Sequence, residues 1–354
     1  MNSIKNTREL LLAHYRKYPI LQIRDVFKFL FQSVFGCEHM VPSEERAISY
    51  ITDEYENMNR DVQMEIEELD GNYSRVPLAY IDRGLSAETF GKLFCASAEK
   101  ESGDVDTLRL KLDVARELAE EKLLPFDVCD FTAAVVKWEN EGFPPVHHSD
   151  EFRNAYKPSY RLIYNDYLPF LPFFAELDLR LKKGKVNLAV EGGSASGKTT
   201  LGKLISKLYD CNIFHMDDFF LRLEQRTPER FAEAGGNVDR ERFLEEVLLP
   251  LSRNEEFSYQ KFDCSTMSLG EYANVTPKML NVTEGAYSMH PDLAMFYDFS
   301  VMLDITLERQ RARILKRNSP AFAERFFNEW IPMEQKYFSA FGIHEKCDMV
   351  ISII

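Results

Sequence analysis

"VEGGSASGKTT", residues 190–200, decides how this chain is read. Behind the apolar run "KVNLAV" come three glycines, two serines, an alanine, a lysine and two threonines. Such residues build no core, so their place directly after a strand-like segment needs another reason. Gly192-x4-Gly197-Lys198-Thr199 satisfies the spacing G-x-x-x-x-G-K-[ST] in full. The following "TTLGKLISKLY" reads as a helix with Leu201, Leu204, Ile205 and Leu208 inward. A loop between strand and helix turns backbone N–H groups toward anionic oxygens. This Walker A pattern assigns Gly192, Gly193, Ser194, Ala195, Ser196, Gly197, Lys198, Thr199 and Thr200 to a nucleotide's phosphates. Lys198 would neutralise the β and γ phosphates, and Thr199 would offer its hydroxyl to Mg²⁺. A flexible glycine hinge is the plain alternative.

The bulk numbers suit an ordinary globular protein. The 354 residues are 45% apolar and 28% charged, long enough for two domains. No apolar run approaches the length of a membrane span, and "MNSIKNTRELLLAHYRKYP" lacks the core and cleavage site of a signal peptide. Six scattered cysteines form no C-x-x-C pair, which suits a reducing compartment. A cytoplasmic location is expected, with no membrane partner. The net charge of −14 argues against nucleic acid, whose phosphates need a basic surface.

The chain has two grammars. A mostly α-helical accessory domain is expected over residues 1–170. In "RDVFKFLFQSVFG", Val26, Phe27, Leu30, Phe31, Val34 and Phe35 keep helical spacing before Gly36. Ser43 and Ser86 are placed to cap the next two helices. "FGCEHM" groups Cys37, Glu38 and His39, and "PPVHHSDEFRNAYKPSYRLI" adds His147 and His148. Adjacent histidines point in different directions, so loop residues are expected there rather than a metal centre. The second stretch also carries Arg153, Lys157 and Arg161, which suit an anionic ligand or packing on the other half.

Over residues 171–354, short apolar runs alternate with helix patterns: "KVNLAV", "CNIFHM", "KMLNV", "SVMLDI" and "CDMVISI". Alternation of this kind indicates an α/β domain with a mainly parallel sheet. "HMDDFF" puts Asp217 just past the second strand, where ligands meet open α/β sheets. Asp217 could take a proton from an attacking hydroxyl or hold Mg²⁺ through water; a loop cap is the alternative for it and its neighbour Asp218. "KMLNVTEGAY" ends a strand at Glu284, a position from which a carboxylate reaches a metal. In "DITLERQRARILKRN", Arg309, Arg313 and Arg317 are four apart and share one helix face. That face is either solvated or a lid over transferring charge.

"GGSASGKTT", "MDDFF", "NVDRERF", "FDCSTMSLG", "VTEGAYSMHP" and the arginine helix occur in the order and spacing of the uridine kinase/phosphoribulokinase-like family. The resemblance covers residues 184–354, with bacterial pantothenate kinases as more distant relatives. It implies a P-loop NTPase kinase fold and phosphorylation of a small metabolite's hydroxyl with ATP or GTP and Mg²⁺. By position, Asp217 resembles the general base and Glu284 a metal-site carboxylate. Arg309 and Arg313 resemble lid arginines. Asp239 resembles the acid that binds ribose hydroxyls, although it also precedes "RERFLEEVL" as a helix N-cap. Asp263 and Tyr287 would line the acceptor pocket. Nucleoside kinases that read uracil or cytosine carry a histidine a few residues after the position of Asp263. Met267 stands near that place here, and a thioether cannot make the hydrogen bond. The acceptor is therefore expected to be nucleoside-like or sugar-like rather than uridine itself.

The expected activity is an ATP-dependent small-molecule kinase, catalysed by Asp217, Lys198, Arg309 and Arg313, with Thr199, Glu284 and Asp217 at the metal. A nucleotide-dependent sensor or assembly protein, whose helical half binds a macromolecule, is the alternative. A small-molecule acceptor is the expected partner, with homo-oligomer formation left open.

Overall fold

The computed structural model describes residues 2–37, 43–60, 65–100 and 103–353. Glu38 and His39 lie outside the described residues. The chain divides into two compact units, Met1–Ala175 and Glu176–Ile354, a few residues beyond the boundary drawn from sequence.

Among the described residues, the first unit is built on the helices α1 (Asn2–Lys17), α2 (Ile23–Phe35), α3 (Glu44–Asn57), α4 (Ala87–Ala98), α5 (Val105–Glu120), α6 (Val128–Asn140) and α7 (Asp150–Tyr156). Ser43 and Ser86 accept hydrogen bonds from the Arg46 and Thr89 amides, so both caps stand where the sequence puts them. Asp104, Asp127 and Ser149 cap α5, α6 and α7 in the same way. Phe29, Phe90, Phe131 and Phe152 are wholly buried, and Trp138 stacks on Phe27 at 4.5 Å between ring centres.

The helical reading of this half is incomplete. A three-stranded antiparallel sheet runs β1 (Glu67–Glu68), β2 (Tyr73–Pro77), β3 (Tyr160–Tyr164), with Ser74 opposite Ile163. Every residue of β2 is buried, Arg75 included. Its guanidinium donates to Glu67 at 2.8 Å and twice to Gln32, at 2.8 and 2.9 Å. Such a buried ion pair holds only while each member keeps its partner. Helix α8 (Leu171–Leu181) runs across the unit boundary.

The second unit is an α/β domain. Its parallel sheet comprises β4 (Val186–Gly192), β5 (Cys211–His215), β8 (Leu280–Glu284), β9 (Phe299–Ile305) and β10 (Met349–Ile353), in the order β10-β9-β4-β8-β5. These are the five apolar runs read from the sequence. Central β4 is buried throughout, because neighbours cover both its edges and both faces. Helix α9 (Lys198–Leu208) follows it across the glycine loop.

Between β5 and β8 the chain forms α10 (Pro228–Ala232), α11 (Arg240–Phe243), a π turn over Leu244–Leu248 and α12 (Leu249–Arg253). An antiparallel hairpin follows, β6 (Phe257–Asp263) with β7 (Ser268–Val275). The helices α13 (Pro291–Ala294), α14 (Leu307–Arg317), α15 (Pro320–Arg325), α16 (Ile331–Phe341) and α17 (Ile343–Lys346) complete the unit. Tyr337 and Phe338 of α16 join Phe214, Met216, Phe243 and Met302 in one apolar core. The strand order, with the glycine loop leaving the central strand, makes this unit a P-loop NTPase kinase fold.

Candidate active site

The loop's shape follows from its residues. Gly192 lies at φ 152°, and a Cβ there would come within 2.8 Å of the Leu303 carbonyl and 2.7 Å of Ser196 Oγ. Gly197, at φ 109°, opens α9. Ala195 holds a left-handed backbone at φ 61°, a strain that residues carrying a Cβ accept mainly at functional loops. Lys198 folds back over the loop and donates to the carbonyls of Gly192 at 2.8 Å and Gly193 at 3.0 Å.

Thr199, Glu284 and Asp217 meet beside that lysine. Thr199 is the second residue of α9, and its hydroxyl donates to Glu284 Oε1 at 3.0 Å. Glu284 ends β8, the neighbour of β4, and also meets His215 Nδ1 at 2.6 Å. Burial would raise the Glu284 carboxyl, but His215, Lys198 and Thr199 outweigh it and hold the group below its usual range. The hydrogen bond to Glu284 in turn raises His215.

Asp217 follows β5 by two residues, in the 3₁₀ turn Met216–Phe219. Its surface opens to solvent, yet the surrounding protein pushes its carboxyl above the usual range. The field of Lys198 opposes that rise, and the field of Glu284 adds to it. A carboxylate with a raised pKa is a better proton acceptor.

The two arginines expected of a lid part company. Arg313 Nη1 reaches the carbonyls of Ala195 at 3.2 Å and Ser196 at 3.3 Å, over the glycine loop. Arg309 is exposed one turn earlier. Arg317 packs its guanidinium over the Phe326 ring. The three share a helix but not an environment.

The candidate acceptor residues are more scattered. Asp239 accepts the Arg242 amide at 3.2 Å and Gln225 Nε2 at 2.8 Å, so both oxygens are engaged and it caps α11. Asp263 is exposed and accepts the Ser265 amide and hydroxyl at 2.7 and 2.6 Å, shaping the β6–β7 turn. Tyr287 is buried against Tyr337, with ring centres 5.0 Å apart and a left-handed φ of 76°. Asp218 accepts from Tyr259 at 3.4 Å, and its carbonyl takes Arg242 Nη2 at 2.8 Å. Among the described residues, no three His, Cys, Asp or Glu side chains form a metal cage.

Four side chains escaped the sequence reading. Glu334 of α16 is buried and accepts the Ser194 amide at 2.9 and 3.1 Å and the Ser194 hydroxyl at 2.6 Å. Burial raises its carboxyl, with Lys198 opposing. Gln310 donates to the Ser194 carbonyl at 2.8 Å. Glu191 is fully buried, and burial pushes it up to about 7 although the Met289 and Gly192 amides and the Tyr337 hydroxyl donate to it. His215 is the fourth. Glu191 and His215 adjoin recognised motifs and were within reach of the sequence. Glu334, 140 residues from Ser194, was not.

Solved structures similar to this chain include a possible uridine kinase and two shikimate kinases. A possible uridine kinase from Bacillus stearothermophilus aligns at 21% identity and a TM-score of 0.39, over 49% of this chain and 96% of that one. Shikimate kinase from Aquifex aeolicus aligns at 20% identity and a TM-score of 0.24, over 47% of this chain and 85% of that one. Shikimate kinase from Bacteroides thetaiotaomicron aligns at 14% identity and a TM-score of 0.26, with the same two coverages of 47% and 85%. The sequence matches no family model and no curated protein. Among the described residues, no helix is long and apolar enough to cross a membrane.

Proposed function

We propose that the second unit is an ATP-dependent small-molecule kinase that moves the γ-phosphoryl group to a hydroxyl of a nucleoside-like or sugar-like acceptor. One observation carries this reading: Lys198, Thr199, Glu284 and Asp217 converge at the C-terminal ends of three adjacent parallel strands. That edge is where ligands meet open α/β sheets.

A hydroxyl and carboxylates are hard oxygen donors, which fit Mg²⁺. Two or three protein groups suffice, because Mg²⁺ keeps waters and phosphate oxygens in its shell. Thr199 and Glu284 would hold the ion, with Asp217 at its margin, and the bound ion would neutralise charge on the β and γ phosphates. GTP would serve the same loop. In use, Lys198 leaves the Gly192 and Gly193 carbonyls for phosphate oxygens, and the loop amides bind the rest. Asp217 takes the acceptor's proton as the new P–O bond forms and the bond to the β–γ bridging oxygen breaks. Arg313 sits where it can stabilise the transferring charge, with Arg309 reaching in from the exposed turn before it.

Asp217→Asn should lower kcat about 10²–10⁴-fold, the range of general-base loss, and leave ATP binding within a few-fold. The measurement is ADP release across nucleosides, sugars and pantothenate-like alcohols. ATP binding with no acceptor-stimulated release from any of these would point instead to a nucleotide-dependent sensor.

A further inference from the structure

The first unit contains a cavity of about 590 Å³, lined by Lys28, Asn57, His148, Arg153, Lys157 and Ser159 among others. Lys28, on α2, is 8% exposed. Its ammonium makes one hydrogen bond among the described residues, to the Val146 carbonyl at 3.3 Å, and no ion pair. A buried ammonium ordinarily brings a counter-charge with it.

The nearest candidate is already spent. Asp25, one turn earlier on α2, accepts Gln22 N at 2.8 Å, His148 Nδ1 at 2.9 Å, Ser149 N at 3.0 Å and Ser149 Oγ at 2.6 Å. Glu54, which also lines the cavity, pairs with Arg161 at 2.8 Å. Burial first, then Arg75, push the Lys28 ammonium down to about 8 despite the field of Asp25. His148 is fixed at both nitrogens, by Asp25 and by the Tyr160 hydroxyl at 2.8 Å, so this wall is preformed. Arg153 and Lys157 stand at the cavity from α7 and its left-handed C-cap; Arg153 donates to the exposed Asp150 at 2.5 Å, a surface pair that a dianion would have to displace or share.

We propose that this cavity binds a phosphorylated small molecule, with the phosphoryl group between Lys28, Arg153 and Lys157 and the remainder against Asn57, Ser159 and His148. Three cations suit a dianion with several free oxygens. The volume falls within the usual range for metabolite pockets and far exceeds what a bare phosphate fills. The site belongs to the first unit alone and does not depend on the kinase reading of the second.

The test uses the full chain carrying Lys198→Ala, which weakens phosphate binding at the glycine loop, and it reads only the binding that substitutions in the first unit remove. Calorimetric titration with ribose 5-phosphate, glycerol 3-phosphate and AMP should show binding by at least one, and any binding of ribose or glycerol should be unchanged by the substitutions that follow. Adding Lys28→Met should weaken that binding at least tenfold. Arg153→Gln with Lys157→Gln, both exposed, should weaken it at least fivefold without moving the melting temperature, and this variant decides the matter if Lys28→Met does not fold. The proposal is overturned if none of the three probes binds, or if binding survives both sets of substitutions. Inorganic phosphate binding as tightly as the best probe overturns it in favour of a bare anion site. Citrate binding in preference to all of them overturns it in favour of a carboxylate site.

Discussion

At the residue scale, the decisive charge is one ammonium. Lys198 spends its hydrogen bonds on two loop carbonyls, a posture a triphosphate can exchange for stronger, charge-assisted contacts. Lys198→Ala should weaken Mg²⁺-ATP binding by about 10–100-fold, the worth of a charged hydrogen bond; calorimetry checks it, and undiminished affinity would reduce the glycines to a hinge. Glu334 acts in the opposite sense, because its carboxylate occupies the Ser194 amide and lays negative charge beside the proposed phosphate site. Glu334→Gln keeps an acceptor for that amide and removes the charge. ATP should bind several-fold tighter at pH 8, and the gain should shrink as pH falls, since burial makes Glu334 protonate more readily than usual. A gain independent of pH would show that shape rather than charge is responsible. The His215–Glu284 pair has its own window. His215 is raised, so its stabilising contribution is full below about pH 6.5 and declines as pH rises through the higher folded value. Melting temperature should show that decline in the parent protein and lose it in His215→Phe.

At the element scale, three of the five parallel strands deliver the candidate site, and one arginine steadies the turn that carries Asp217. Arg242 of α11 donates to the Gln260 carbonyl of β6 at 2.6 Å and to the Asp218 carbonyl at 2.8 Å, and its guanidinium lies over the Phe219 ring. Helix, hairpin and the turn carrying Asp217 are therefore tied at one point. Arg242→Met should lower kcat roughly tenfold while leaving ATP affinity unchanged, because near-attack geometry is sensitive to small displacements. An unchanged kcat would mean that the turn holds itself. The strands were legible from apolar runs bounded by polar turns. The hairpin was not. "FDCSTMSLG" read as a motif, while its pairing with the strand before it depends on contacts that local alternation does not reveal.

At the scale of the whole molecule, each unit has its own core and its own tryptophan, Trp138 in the first and Trp330 in the second. The first unit depends on a buried polar network that runs from His14 through Glu67, Arg75 and Gln32 toward Tyr160, His148 and Asp25. Burial opposes ionisation of Glu67 and Asp25, yet Arg75 and His14 hold the first at about 2, and His148 and Ser149 hold the second at about 2. Both values are depressed, so their stabilisation is full above about pH 4 and lost as pH falls toward 2. Emission from Trp138, measured in a Trp330→Phe background, should report that acid transition. Arg75→Met should cost about 3–5 kcal/mol, the penalty for stranding a buried carboxylate. A loss under 1 kcal/mol would show that the pair is dispensable.

Taken alone, the sequence determined the glycine loop, the five-strand α/β unit, the helical caps at Ser43 and Ser86, and the places of Asp217 and Glu284 at the C-terminal ends of two strands. Each of these is written in short-range spacing, since backbone conformation and strand burial follow from a few consecutive residues. Tertiary structure alone decided that Arg313 and not Arg317 meets the loop, that Asp239 engages both its oxygens and Asp263 one of its own in a cap and a turn, and that Glu334 lies on Ser194. It also decided that Arg75 belongs in a strand, where a charge breaks the apolar alternation and only distant partners make its burial tolerable. Those outcomes depend on which long-range partner reaches a polar group first, and chain spacing does not encode that contest.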